Sequence, residues 1–144
     1  MPEKKLKDQN MPSRKEMLDQ MTISANQYLD RALPEIKVLA DGFYQGPSEE
    51  TWKSLLQLLE GIQWLLEYMN HLVCHKELYA NGDKFREISA NLQNQLHQFE
   101  EALKSQDATL MGDILHFEVI LILESAKNEI LMIIDKEGIG HDLN

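Results

Sequence analysis

His71, Cys74 and His75 stand close together and are the side chains of this sequence best suited to chemistry. Histidines at i and i+4 project two imidazoles from one side of a helix, the spacing that helical zinc sites use. The metalloprotease pattern also puts a glutamate directly after the first histidine, and here that position is Leu72. Glu67, one turn earlier, adds a carboxylate. Asp113 and His116, at i and i+3 further along, would complete a four-ligand set if their helix faced this one. Di-iron bundles want Glu-x-x-His from each of two helices plus further glutamates; this chain offers only one aspartate version. The main expectation is therefore no metal and no cofactor, with His71 and His75 as polar tips on an amphipathic face. The alternative is a metal-dependent enzyme with a bundle-core site made by His71, His75, His116 and Asp113.

Other catalytic constellations are weaker. Cys74 has Glu60 and Glu67 as neighbours on its flank, and nearby acids disfavour a thiolate. Ser54, Ser89 and Ser125 fall mid-helix, without the strained turn that exposes a nucleophile. The glycines are scattered, so nothing resembles a phosphate-cradling loop. The residues do not point to an enzyme.

The elements that position these side chains read as four helices. Ser13 with Glu16 forms a capping-box pattern, and Leu18, Met21, Ala25, Tyr28, Ala32, Ile36, Leu39 and Phe43 then share one face. Pro34 lacks an amide hydrogen for the Asp30 carbonyl, which predicts a kink or a split there. Ser48 caps a second helix from Glu49 to roughly Leu78, stopped by Asn81-Gly82. That helix is dry on two sides. Trp52, Leu55, Leu59, Ile62, Leu66, Met69 and Val73 form one seam, widened by Leu58, Leu65 and Leu72. Gly61, Trp64, Tyr68, His71, His75 and Leu78 form the other, with helical spacing half a turn away. Such a helix is either the centre of a bundle or half of an interface. Gly61, mid-helix, is suited to the close approach of another helix.

Asp83 caps a third helix with one thin apolar stripe: Phe85, Ile88, Leu92, Leu96, Phe99 and Leu103. A fourth starts between Asp107 and Asp113 and ends before Gly138. Its Val119–Leu123 run is as apolar as a buried strand, but no turn signal brackets it and the helical pattern continues to Ile134. Short connections imply an all-α, antiparallel up-down four-helix bundle. The domain occupies 13–137, between a disordered basic tail (1–12) and a flexible tail (138–144).

At 144 residues, 43% hydrophobic and 26% charged, the chain is long enough for one core. Its single cysteine allows no internal disulfide, which fits a reducing compartment, and the N-terminus lacks the apolar stretch of a signal peptide. No apolar run is long enough to span a membrane. The expected location is the cytoplasm. The net charge is −10, although residues 1–15 carry five basic side chains against Glu3 and Asp8. So acidic a body repels phosphate backbones, and no nucleic-acid partner is expected.

Gly112-Asp113-Ile114-Leu115-His116-Phe117-Glu118 resembles a stretch found late in small helical proteins of Gram-positive bacteria with no assigned activity. Size, acidity and helical content also resemble bacterial export chaperones of the flagellar type. The resulting expectation is a non-enzymatic interaction protein, an adaptor or chaperone-like bundle. It would bind itself, as a homodimer, or a partner protein through the aromatic face made by Gly61, Trp64, Tyr68, His71, His75 and Leu78.

Overall fold

The structure, a computed structural model, describes residues 13–139. The tail expected over 1–12 lies outside the described residues, as does the tail over 138–144 apart from Gly138 and Ile139. The described residues contain four helices and no strand. We label them α1 (Arg14–Tyr44), α2 (Glu49–Cys74), α3 (Gly82–Lys104) and α4. The last is continuous, built from an α segment Ala108–Asp113, a π segment Ile114–Val119 and an α segment Ile120–Glu137.

Side chains satisfy the free amides at three of the four helix starts, each such cap contributing about 1 kcal/mol. Ser13 Oγ accepts from the Glu16 amide at 3.1 Å, and Asp107 accepts from the Leu110 amide at 3.0 Å. Ser48 and Thr51 cap reciprocally, each side chain accepting from the other's amide. α3 departs from expectation. It begins at Gly82, so Asp83 lies in the first turn instead of capping it. Asn81, the residue before it, turns its side-chain amide to the carbonyl and carboxylate of Glu129 on α4, at 3.0 and 2.9 Å.

α1 runs through Pro34 without splitting. The proline is exposed, while Leu29, Ala32, Ile36 and Leu39 on either side are buried. Tertiary packing holds the turn that the missing amide weakens.

The helices form a closed square: α1 packs on α2 and α4, and α3 completes the ring between them. The diagonal pairs, α1 with α3 and α2 with α4, lie further apart, and Phe43 of α1 reaches Phe99 of α3 edge-on across the core, with ring centres 5.9 Å apart. Side-chain pairs fix the directions. Thr22 meets Tyr68 and Phe43 meets Trp52, so α1 and α2 are antiparallel. Lys15 meets Glu137, Lys127 meets Asp30 and Tyr44 meets Asp113, so α1 and α4 are antiparallel too.

This arrangement accounts for the two dry sides of α2. A corner helix must bury surface against two neighbours roughly at right angles, so its apolar arc is wide. Leu65 and Leu72 are fully buried, Leu58, Gly61 and Tyr68 lie on the side toward α1, and Leu66 turns to α3. The side of α2 that carries Gly61 and Tyr68 is thus covered by α1, whereas Trp52, Leu56 and Leu59 stay exposed on its outer face.

It also ends a turn early, at Cys74. Tyr79 is buried, and its hydroxyl donates to Asp19 Oδ1 at 2.7 Å. Reaching that position requires the chain to leave the helix at His75. Lys15 closes the cluster, 3.0 Å from both Asp19 and Glu137 and 5.5 Å from the Tyr79 ring centre. Partial burial opposes its charge, but Glu137 and Asp19 more than offset that and raise its pKa. The start of α1, the α2–α3 connection and the end of α4 are thus tied at one end of the bundle.

Candidate functional site

The structure does not bring the four candidate metal ligands together. Asp113 takes a hydrogen bond from the Tyr44 hydroxyl at 2.6 Å, which places it and His116 at the end of the bundle where α2 begins. His71 lies at the other end of α2, 22 residues from Glu49, or about 33 Å at the helical rise. Helices α2 and α4 are moreover diagonal. Among the described residues, no group of three or more His, Cys, Asp or Glu is placed to hold a metal ion. His75 Nδ1 is also engaged, 2.9 Å from the His71 carbonyl. A carbonyl only accepts, so that nitrogen carries the hydrogen.

The expected aromatic surface on α2 is largely covered by the chain itself. Tyr68 has 0% exposure, and its hydroxyl lies 2.7 Å from Thr22 Oγ1, which also donates to the Leu18 carbonyl. Trp64 stacks on Tyr68 with ring centres 6.0 Å apart and is half-buried. Gly61 lies beneath the Tyr28 ring, and Leu78 packs against the core from the connection. Of this set only His71 is openly exposed, with His75 half-buried beside it.

Gly61 does admit a close approach, though by one ring and not a whole helix. A Cβ there would sit 2.2 Å from the Tyr28 hydroxyl oxygen and 2.4 Å from Cζ. Gly61→Ala should therefore cost about 1–3 kcal/mol through displacement of Tyr28, despite alanine's roughly 1 kcal/mol better helix propensity. In a Tyr28→Ala background the same substitution should stabilise by up to about 1 kcal/mol. Urea denaturation of the four proteins tests this, and an equal loss in both backgrounds would acquit the ring. Gly112 plays the same part for Tyr44, whose ring carbon would lie 2.7 Å from a Cβ.

All four tyrosines resist ionisation. Burial, then the nearby Glu35, pushes Tyr28 up to about 12, Arg31 working against them. The hydrogen bond to Asp113 pushes Tyr44 up to about 12. Burial raises Tyr68 and Tyr79 further, Tyr79 with help from Asp19. A neutral acid with a raised folded-state pKa contributes stability below its unfolded value, near 10, and that contribution is lost as pH rises through the folded value. An ultraviolet titration should thus show little tyrosinate at pH about 10, then ionisation near 12 and above together with unfolding. Two tyrosines titrating near 10 with helicity intact would contradict these contacts.

Large apolar side chains stay exposed on several helices, Val38 on α1 and Leu56 on α2 among them, and α4 carries the largest set. Met111, Leu115, Val119 and Leu123 are spaced by four throughout, and a regular α-helix would rotate them about 40° per step. The π segment, with its wider i→i+5 turns, keeps them in line, and all four are buried. Phe117 and Leu121 then share the opposite, outward line at 56% and 59% exposure, continued by Met132 at 54%. His116 stands edge-on to Phe117 with centroids 4.5 Å apart, its Nδ1 buried without a partner. The carboxylates of Glu118 and Glu124 lie exposed beside this stripe. The apolar run from Phe117 to Leu123 was the sequence signal for it, but nothing in the run says which members face out.

Residues 20–129 match a domain of unknown function, DUF8042. The chain belongs to that family. The DUF8042 match runs from α1 into α4 and so takes in part or all of every helix, with Tyr28, Gly61, Tyr68, Phe117 and Leu121 inside it. No curated protein and no solved structure matches the chain. No helix among the described residues is long and apolar enough to cross a membrane.

Proposed function

We propose that this protein is a non-enzymatic, cytoplasmic interaction protein, an adaptor or chaperone-like helical bundle that docks a partner protein or a second copy of itself through the outer face of α4. One observation carries the reading: Phe117 and Leu121 stand on successive turns, pointing away from the bundle and more than half exposed. Large apolar side chains scattered singly need no explanation, whereas a contiguous stripe marks a contact surface. With Tyr68 buried, the reading moves from the aromatic side of α2 to α4. The acidity of the chain disfavours nucleic acid as the partner, and a lone, exposed Cys74 fits a reducing compartment. The likeness to small helical proteins of Gram-positive bacteria and to flagellar export chaperones is of the same kind. Native mass spectrometry tests the reading, comparing the protein purified from its own host with a Phe117→Glu/Leu121→Glu variant prepared alongside.

A further inference from the structure

A second surface lies on a different side of the bundle, in the groove between α1 and α2. The groove has a volume of about 860 Å³. Its floor is apolar and low, made by Ile36, Leu39 and Leu58 with the small residues Ala32 and Gly42. Val38, on the rim, is the most exposed large hydrophobic side chain described, at 72%. Tyr28 lines one end: its ring fills the space above Gly61, and its hydroxyl is buried without a partner. From Tyr28 to Gln45 the groove runs 17 residues of α1, about 26 Å.

The rim is electrically polarised. Arg31, one turn from Tyr28, supplies the positive charge at that end, Glu35 follows one turn further along, and the carboxylates of Asp41 and Glu50 mark the other end. Among the described residues none of Arg31, Glu35, Asp41 and Glu50 takes part in an ion pair. A helix has the complementary polarity: free carbonyls and partial negative charge at its C-terminus, free amides and partial positive charge at its N-terminus. We propose that the α1–α2 groove seats an amphipathic helix of a partner protein, its apolar face on Val38, Leu39 and Leu58, its C-terminus at Arg31, its N-terminus at Asp41 and Glu50, and its basic side chains paired with Glu35, Asp41 and Glu50. This is the helix-in-groove mode of recognition, and it does not depend on the α4 face.

The probe is a synthetic helical peptide about as long as the groove, leucine and alanine on one face and lysine on the other, with a nitroxide at either end. Added to the isotope-labelled full chain, the N-terminally labelled peptide should broaden the amide signals of Asp41, Gln45 and Glu50. The C-terminally labelled one should broaden those of Tyr28, Arg31 and Gly61. Asp41→Asn/Glu50→Gln should weaken binding about tenfold and Arg31→Gln several-fold, with helicity unchanged. Phe117→Glu/Leu121→Glu should leave binding as it was. Absence of binding, unchanged affinity in Asp41→Asn/Glu50→Gln, reversed broadening, or broadening centred on α4 would each overturn the proposal. Only the outcome with the Phe117 and Leu121 variant in the host preparation bears on the α4 reading, so the two stand or fall separately.

Discussion

Tyr68→Glu is expected to unfold this protein or lower its stability by about 3–5 kcal/mol, the cost of an uncompensated charge in a packed interior. Tyr68 has no exposed surface, and Trp64, Leu65, Met69 and Leu72 crowd its own helix around it. The nearest polar partner, Thr22 Oγ1, already donates to the Leu18 carbonyl and cannot neutralise a carboxylate. A domain of this size has a total stability of roughly 5–15 kcal/mol, so the loss should lower the midpoint of thermal unfolding by about 4 °C per kcal/mol. Tyr68→Phe should cost only about 1 kcal/mol, because Thr22 keeps its other hydrogen bond. Circular dichroism during heating distinguishes these outcomes. A Tyr68→Glu protein that melts like the wild type would place Tyr68 at a surface and restore the α2 face as an interface.

Phe117→Glu/Leu121→Glu should behave in the opposite way. Both side chains point outward, glutamate is a good helix former, and surface changes away from special features usually stay within about 0.5 kcal/mol each. Helicity and melting should therefore be nearly unchanged. Association should weaken by about 100-fold or more, since two apolar anchors of an interface each contribute upwards of roughly 1–2 kcal/mol and the new carboxylates must be desolvated. In native mass spectra the wild type should carry a partner or a second copy that the variant lacks. An identical complex in both, or a bare monomer in both at working concentration, would move the contact surface elsewhere or remove it.

The contrast between these two variants marks how far periodicity reaches. The spacing of Leu18 to Phe43, of Leu55 to Val73 and of Phe85 to Leu103 announces helices directly, because side chains three and four apart share a face whatever lies opposite. Ser13 and Ser48 announce two of the four starts, because capping is a local bond between a side chain and an amide a few residues on, while the fourth start was bracketed only between Asp107 and Asp113. The early end of α2 was not legible. It depends on Tyr79 reaching Asp19, a contact between residues 60 apart that no local pattern encodes. The π segment was equally hidden: the fourfold spacing of Met111, Leu115, Val119 and Leu123 is visible, but whether the backbone widens or the side chains drift is settled by packing against α1 and α3.

The candidate sites divide along the same line. His71 with His75, and Asp113 with His116, each share a helix face because spacing alone puts them there. Whether the two pairs meet is a question of which helices are neighbours, and the square places them on diagonal helices near opposite ends. Residue types and periods in this chain determined four amphipathic helices, an acidic body and a wide dry arc on the second helix. Only the tertiary structure decided that α1 covers Tyr68 while nothing among the described residues covers Phe117 and Leu121, because a period specifies that a face is apolar and the packing partner specifies whether that face is core.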